Sequence, residues 1–189
     1  MIIDRGLREY LFQDRYLNYN FTVFMGMCKS KPRIIDMNDT PNFFVVDREK
    51  KRKNEVIRTM LTSLAAKNYP EDFKIMIIDT TGEYEQFKGL PHIMNYAHDA
   101  ETVVSMIDVL INELNKRHAL LKHYSNITVE RIGLKRMLLV FDDLAAITQM
   151  GVDEASVEKL ADALTVSHKF GIHCILGSSY NITDVIEDD

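Results

Sequence analysis

FFVVDREKKRKNEVIRTMLTSL, residues 43 to 64, is the stretch that decides the fold of this chain. Its first four residues are apolar, its middle is polar and charged, and its last part is amphipathic. The apolar side chains of that last part recur at helical spacing, at Val56, Ile57, Met60, Leu61 and Leu64. A short strand that runs through a polar turn into such a helix is the frame of a phosphate-binding loop.

The residues inside this frame differ from those that a phosphate-binding loop requires. The pattern GxxxxGK[ST] uses glycines so that backbone N–H groups can close around phosphate oxygens. Here Asp47 stands at the first glycine, Arg52 at the second, and Asn54 replaces the magnesium-binding hydroxyl, while Lys53 keeps the place of the lysine. A residue such as Asp47 or Arg52, if forced to positive φ, would carry strain of about 1 to 3 kcal/mol. The stretch predicts a nucleotide-binding frame without the glycine loop.

Five cations lie between residues 48 and 53, at the predicted start of the helix. This arrangement is unfavourable with respect to the helix dipole unless an anion or neighbouring acids compensate for it. Two interpretations stay open. The run is either a solvated turn balanced by Asp47, Glu49 and Glu55, or a contact for an acidic partner surface, a phosphate or nucleic acid.

The rest of the chain alternates between predicted strands and helices. The runs FKIMIID, MLLVF and IHCIL are continuous, short and apolar, as in strands that are covered on both faces. Helices are predicted at 99–123, where Asp99 suits an N-cap, and at 154–169, where Val157, Leu160, Ala161, Leu164 and His168 share one side. FTVFM and PRIID predict an edge hairpin, 80–94 a loop, and 124–135 a linker. The alternation predicts an α/β fold with a mainly parallel sheet and helices on both faces.

Composition narrows the functional classes. The net charge of −5 and the pI of about 5.7 disfavour nucleic acid as the main partner. No apolar run approaches the roughly 20 residues of a membrane helix, so direct membrane insertion is not expected. Two cysteines, Cys28 and Cys174, give no disulfide framework and favour a reducing compartment, with Cys174 as a buried apolar side chain. We expect one globular unit, with residues 1–31 as an amino-terminal arm and edge strand and 32–189 as the main domain.

Carboxylates follow two of the predicted strands. Asp142 and Asp143 come directly after MLLVF, which is the pattern of a Walker B strand whose aspartate holds Mg²⁺. The alternative for Asp142 is a cap or a solvated turn, because a strand that ends in Asp-Asp is common. Asp79 ends another strand, where helix capping or turn stabilisation is the better interpretation. The spacing of histidines and cysteines gives no metal site, and no motif supports nucleophilic catalysis.

Taken together, five blocks of the chain resemble an FtsK/SpoIIIE-type ATPase module over about residues 32 to 186. They are the stretch quoted above, NYPEDFKIMIIDTTGEYEQFKGLPHIM, INELNKRHALL, MLLVFDDLAAI and GIHCILGSSYNITDVI. The resemblance implies a RecA-like P-loop fold. It places Lys53 at the Walker A lysine, Asp142 at the magnesium-holding Walker B aspartate and Asp143 at the catalytic glutamate, one methylene shorter. Ser178 and Ser179 stand at the nucleotide-sensing Thr-Gln, and His168 stands where an arginine is common.

A module with so many departures at phosphate-contacting positions resembles the carboxy-terminal ATPase domain of the EssC/EccC proteins of type VII secretion. That resemblance implies a cytoplasmic domain of a larger membrane-anchored bacterial protein, with other ATPase modules of the same motor and secreted WXG100 proteins as partners. It also implies a substrate-docking or regulatory role, with no cofactor or with weakly bound Mg-ATP. The alternatives are a working ATPase module for protein export and a DNA translocase module, so enzymatic competence is left open.

Overall fold

The architecture comes from a computed structural model, which describes residues 5–13, 21–122 and 129–179. The parts of the predicted arm, linker and carboxy-terminal stretch that fall at 1–4, 14–20, 123–128 and 180–189 lie outside these ranges. In chain order the elements are α1 (Arg5–Phe12), β1 (Thr22–Cys28), β2 (Lys31–Asp36), β3 (Asn42–Val46), α2 (Lys50–Lys67), β4 (Phe73–Ile78), β5 (Ile93–Ala97), α3 (Ala100–Leu121), β6 (Arg136–Phe141), α4 (Glu154–Val166) and β7 (Ile172–Ser178). Short 3₁₀ turns lie at Glu85–Phe87, Val129–Ile132, Leu144–Ala146 and Ser167–Phe170.

The centre of the fold is a five-stranded sheet in the order β3-β7-β6-β4-β5, in which every pairing is parallel. The strands β4 and β6 are almost fully buried, as their continuous apolar sequences predict. On one face Ile75, Ile77 and Val140 pack with the buried side of α2, and on the other face Met76, Leu139 and Phe141 pack with α3 and α4. The predicted α/β class, with helices on both faces, is confirmed.

The predicted hairpin forms, but it is not an edge of the main sheet. β1 and β2 pair antiparallel as a separate two-stranded sheet that contacts α2. The Phe24 N–H donates to Ser63 Oγ on α2 at 3.2 Å. Phe21, Val23 and Met37 join the apolar cluster on the α2 side of the sheet. The hairpin therefore packs against α2, and Phe21 beside it also reaches Phe73 and His173 of the main sheet.

The start of α2 differs from the prediction. The polar run after β3 is predicted to be a turn, yet the helix begins at Lys50 and leaves only residues 47–49 as a connection. None of residues 47–54 has a positive φ, so the anticipated backbone strain is absent. The reason is that a run without glycine meets no barrier to helical φ and ψ, whereas the wide loop of a phosphate site needs residues that can leave that region.

Three further elements refine the predictions. β5, within and just after the predicted loop, was missed because IMNYA is short and carries a polar residue at its centre. The helix predicted at 99–123 is α3, and Asp99 caps it through a capping box with Thr102. The helix predicted at 154–169 stops at Val166 and continues as a 3₁₀ turn, and Ala161 is exposed, not on the buried side.

No helix within the described ranges has both the length and the apolar character to cross a membrane.

Candidate functional site

The predicted site residues gather where the parallel strands end. Asp47 follows β3, Asp79 follows β4, Asp142 and Asp143 follow β6, and Ser179 follows β7. The strands are in register at this edge, since Phe141 pairs with both Ile78 and Leu176. In open parallel sheets this carboxyl edge is where ligands bind.

Lys53 is buried and faces inward. Only 1% of the residue is exposed, and its Nζ lies 3.1 Å from Asp143 Oδ2 and 3.3 Å from Ser179 Oγ. α2 delivers the lysine from one side of the sheet, while β6 and β7 deliver its two partners. Lys53 and Asp143, which the family resemblance predicts at the Walker A lysine and at the catalytic glutamate, thus form a buried ion pair.

Asp143 has further donors besides the lysine. Its Oδ1 accepts from the Ser179 N–H at 3.1 Å and from the Ala145 N–H at 3.3 Å, and its Oδ2 accepts from the Ser179 hydroxyl. Burial acts to raise the pKa of Asp143, but the hydrogen bonds from Ser179 and Lys53, together with the lysine charge, hold that pKa below its ordinary value. Asp143 is therefore a fixed anion whose oxygens are occupied by the protein.

The Asp142 carboxylate accepts its hydrogen bonds from a different part of the chain than Asp143 does. Oδ1 accepts from the N–H and the hydroxyl of Thr80, both at 2.8 Å. Oδ2 accepts from the N–H of Thr81 at 3.1 Å and from its hydroxyl at 2.7 Å. Burial and the nearby Asp79 charge raise the pKa of the Asp142 carboxyl, although the Thr80 N–H and the hydroxyls of Thr80 and Thr81 oppose the shift. Both oxygens that would coordinate Mg²⁺, directly or through water, are bound to the turn after β4.

Asp79 organises that turn, which is the turn-stabilising alternative of the two roles predicted for it. Its Oδ1 accepts from the Gly82 N–H at 2.7 Å, and its Oδ2 accepts from the Tyr84 N–H at 2.8 Å and from the Tyr96 hydroxyl. The Tyr84 hydroxyl in turn donates to Asn54 Oδ1 at 3.3 Å. Burial raises the pKa of Tyr84, so this phenol remains a donor at neutral pH. Asn54 is thus held by the β4 turn and by none of the carboxylates of the Lys53 network.

The first turn of α2 is held by Asp47. Its carboxylate accepts from the Glu49 N–H at 2.9 Å and forms an ion pair with Arg52, which lowers the pKa of Asp47 to about 2. The N–H groups of Arg52 and Lys53 both donate to the Glu49 carbonyl, at 3.0 and 3.2 Å. These two N–H groups lie at the loop positions that would face a phosphate, and here they are used within the helix.

A cavity of about 410 Å³ remains beside this network. Its walls include Arg48, Lys50 and Gln149, with Asp143 and Ser179 at one side.

Among the residues that the structure describes, no cluster of three His, Cys, Asp or Glu side chains could hold a metal ion. With Lys53 paired, Asp142 saturated and no hydroxyl at position 54, the side chains as arranged do not fit Mg-ATP.

The structure thus brings together only some of the predicted residues. Lys53, Asp143 and Ser179 form one network, and Asp47 and Arg52 form a second at the surface. The backbone of Ser178 is joined to Asp47, because the Asp47 N–H donates to the Ser178 carbonyl at 3.2 Å. His168 lies in the 3₁₀ turn before β7, at the opposite edge of the sheet. The sequence analysis did not identify Thr80 and Thr81 as donors to Asp142. The available signal was the Asp-Thr-Thr-Gly turn after a buried strand, which is rich in N–H and hydroxyl donors.

Comparisons with known proteins place this chain in a family. The FtsK/SpoIIIE family model matches residues 3–184. Among curated proteins, the chain is similar to the DNA translocase FtsK of Helicobacter pylori (strain J99), with 21% identity over 195 residues. That alignment includes 95% of this chain but only 23% of the relative. The chain therefore corresponds to about a quarter of the length of that protein.

Solved structures support the same fold. The cytoplasmic domain of the type VII secretion ATPase EccC from Thermomonospora curvata superimposes with a TM-score of 0.74 at 17% identity, over 98% of this chain and 25% of that one. A structure of ATPases 2 and 3 of the same protein, in complex with a signal sequence peptide, has a TM-score of 0.70 at 17% identity, over 85% of this chain and 29% of that one. Because the family match spans nearly the whole sequence and the fold agrees with P-loop ATPase domains, this chain belongs to the FtsK/SpoIIIE family.

Proposed function

We propose that this chain is a docking or regulatory module of a type VII protein secretion motor, and that it works without hydrolysing ATP of its own. The observation that carries the proposal is the closed network in which Lys53 Nζ contacts Asp143 and Ser179. The lysine that would neutralise phosphate charge is already neutralised by a carboxylate of the same chain.

The cost of opening this network supports the proposal. Separating a buried ion pair leaves an uncompensated buried charge and costs about 3 to 5 kcal/mol. Because each 1.4 kcal/mol is a factor of ten, such a cost weakens nucleotide binding by roughly 100- to 4,000-fold. Asp142 would also have to exchange four hydrogen bonds with Thr80 and Thr81 for Mg²⁺ or its bound water.

The solved relatives support a proposal for the partners. One of them is ATPases 2 and 3 of EccC in complex with a signal sequence peptide, and another is the cytoplasmic domain of a type VII secretion ATPase. We therefore propose the other ATPase modules of the same motor and small helical WXG100-type secreted proteins as partners. The proposed location is the cytoplasmic side of a larger membrane-anchored protein.

Calorimetric titration with Mg-ATP tests the nucleotide part of the proposal. The expected result is a dissociation constant weaker than about 1 mM, or no measurable heat of binding. Lys53→Ala should then leave the titration unchanged, as should the matched control Lys51→Ala on the exposed side of α2. Micromolar binding that Lys53→Ala abolishes, with Lys51→Ala still binding, would overturn it.

Titration of the protein with a purified WXG100-type export substrate tests the docking part. Saturable binding is expected in the absence of nucleotide, and added Mg-ATP should not change the affinity. If the substrate binds neither the isolated protein nor the assembled motor, the docking role is wrong even where the nucleotide result agrees.

A DNA translocase module is the second candidate, since the curated relative is named as one. The feature in its favour is the exposed basic group at Arg48, Lys50 and Lys51. Anisotropy of a labelled duplex separates the two functions. Affinity that falls steeply with salt, and falls again on Lys50→Glu/Lys51→Glu, would favour DNA; we expect neither for an acidic chain.

A further inference from the structure

The hairpin of β1 and β2 ends in a strained two-residue turn. Lys29 and Ser30 form this turn, with positive φ angles of 46° and 62°. Two-residue hairpin turns with positive φ favour Asn-Gly, because most other side chains are strained in the left-handed region. Lys29 and Ser30 therefore weaken the turn that they form. Backbone strain of this kind is concentrated at functional sites.

The hairpin and α1 are basic although the chain is acidic overall. Five exposed cations lie on residues 5–12 and 22–36, at Arg5, Arg8, Lys29, Lys31 and Arg33. None of the five forms an ion pair with another residue that the structure describes. The acidic residues in the same two ranges are Glu9 and Asp36, so five cations against two carboxylates leave a net charge of +3.

Large apolar side chains are exposed on the same two elements. Met25 is 37% exposed, Met27 is 41% exposed, and Phe12 on α1 is 71% exposed. The start of α1 lies beside the end of the hairpin, since a Cβ on Gly6 would lie 2.5 Å from Met27 Cγ. Arginine, methionine and aromatic side chains are enriched at protein–protein interfaces. This composition favours a protein surface as the partner.

The charge of the remaining chain disfavours an extended polyanion as the partner. The whole chain has a net charge of −5, so the residues outside α1 and the hairpin have a net charge of −8. That part of the chain repels a DNA duplex or an anionic membrane. A contact between two protein surfaces depends mainly on charges within about 8 Å of each other. Cations at the hairpin end attract carboxylates on such a surface.

We propose that the end of the β1–β2 hairpin, together with α1, binds an acidic and partly apolar surface of another ATPase module of the same motor. This inference rests on the proposed function, which supplies the other modules, and it names the surface through which one of them is contacted. The solved relative with ATPases 2 and 3 of EccC contains two such modules. Where a module precedes α1, the connection tethers it close to Arg5 and the hairpin end, and tethering raises the effective concentration for a weak contact.

The test uses Cys28 as a handle, because it is exposed at the hairpin end while Cys174 is buried. A benzophenone label on Cys28 is irradiated in the purified full-length motor, and the crosslinked peptides are identified by mass spectrometry. The expected crosslinks join Cys28 to a segment of another module that is rich in Asp and Glu. The control places the label at Lys122→Cys, an exposed position on α3, in a Cys28→Ser background. It should give roughly tenfold fewer crosslinks to that segment.

Substitutions in the turn give a second readout. Lys29→Glu/Lys31→Glu should lower the crosslink yield from Cys28 roughly tenfold, whereas the matched control Lys116→Glu/Lys122→Glu should leave it within about twofold. Lys29→Asn should raise the thermal midpoint, since asparagine suits the turn better, and should still lower the crosslink yield. A purely structural role for Lys29 predicts no loss of crosslinks in that more stable variant. Circular dichroism shows that each variant is folded.

The outcomes separate this inference from the proposed function. If Cys28 gives no more crosslinks than the control position, the cations serve only to prevent strand pairing at the hairpin edge, and the inference is overturned. Crosslinks to lipid, to nucleic acid or to a second copy of this module overturn the proposed partner. In each of these cases, export substrate that still binds the motor leaves the docking function standing. Crosslinks to another module without substrate binding support the inference and contradict the docking function.

Discussion

Lys53, the residue that the resemblance predicts at the position of a phosphate-binding lysine, is paired with Asp143 inside the protein. The Lys53 and Asp143 side chains are 0% and 4% exposed, so water screens their interaction little. At this scale, residue identity was predictable and residue pairing was not. Lys53, Asp143 and Ser179 could be named from the sequence, but their contact depends on how α2, β6 and β7 come together.

A double-mutant cycle measures the strength of the pair. Lys53→Met and Asp143→Asn should each lower the free energy of unfolding by about 3 to 5 kcal/mol, because each leaves a buried group without its partner. The double variant should lose less than the sum, by roughly 1 to 3 kcal/mol. Urea denaturation of the four proteins provides the values.

The exposed pair of Arg58 and Glu83 is the control for this cycle. Arg58 Nη1 and Glu83 Oε2 lie 2.6 Å apart, but the two side chains are 23% and 50% exposed. The same cycle with Arg58→Met and Glu83→Gln should give a coupling below about 1 kcal/mol, since solvent screens the charges. Equal coupling in both cycles would contradict a special role for the buried pair.

The two neighbouring carboxylates should give opposite pH dependence. The raised pKa of Asp142 means that the folded protein holds this proton more tightly than the unfolded chain. Its contribution to stability is present below the ordinary carboxyl pKa of about 3.9 and is lost as pH rises through the folded pKa. The stability of the native protein minus that of Asp142→Asn should therefore fall as pH rises from about 4 and then level off.

Asp143 should behave in the reverse sense, because its folded pKa is lowered. Its contribution is present above about 3.9 and is lost as pH falls through the folded pKa. The stability of the native protein minus that of Asp143→Asn should therefore rise with pH. Unfolding curves for the three proteins between acid and neutral pH test both slopes, and slopes of the same sign would contradict the assigned environments.

At the scale of elements, the start of α2 separates this chain from a phosphate-binding loop. The helix was predictable from its apolar periodicity, but its first residue was not, since the loop pattern suggested a longer turn. β4 and β6 were predictable because continuous apolar runs of five to seven residues fit strands covered on both faces. β5 was missed because it lies at the sheet edge and shows neither a continuous apolar run nor strict alternation.

Arg52→Gly should loosen this helix start. Glycine in place of an ordinary residue costs about 1 kcal/mol in a helix, which is roughly a fivefold change in local opening. Hydrogen exchange of the backbone amides at 52 and 53, both bonded to the Glu49 carbonyl, should become faster by that factor. Mass spectrometry of the exchanged protein provides the measurement.

Arg52→Ala is the matched control for this change. Alanine removes the ion pair with Asp47 but keeps high helix propensity, so exchange should change much less than with glycine. If both variants exchange like the native protein, the helix start does not depend on the residue at this position.

At the scale of the whole molecule, the fold of a P-loop ATPase domain is kept while the groups that would meet a nucleotide bond to one another. The packing of the core explains why the fold can be kept when the groups that would contact a nucleotide are not available to it. The core on both faces of the sheet consists of apolar side chains from strands and helices, and few phosphate-contacting positions contribute to it. The fold was predictable because it depends on this apolar pattern. The closed site was predictable only as a loss of glycines, not as the Lys53–Asp143 ion pair.

A crystal structure of the protein grown with saturating Mg-ATP tests the central claim most directly. The account predicts that Lys53 Nζ stays in contact with Asp143 and Ser179, that Asp142 stays bonded to Thr80 and Thr81, and that no phosphate lies between residues 47 and 54. ATP and Mg²⁺ bound between those residues, with Lys53 turned onto a phosphate, would contradict it.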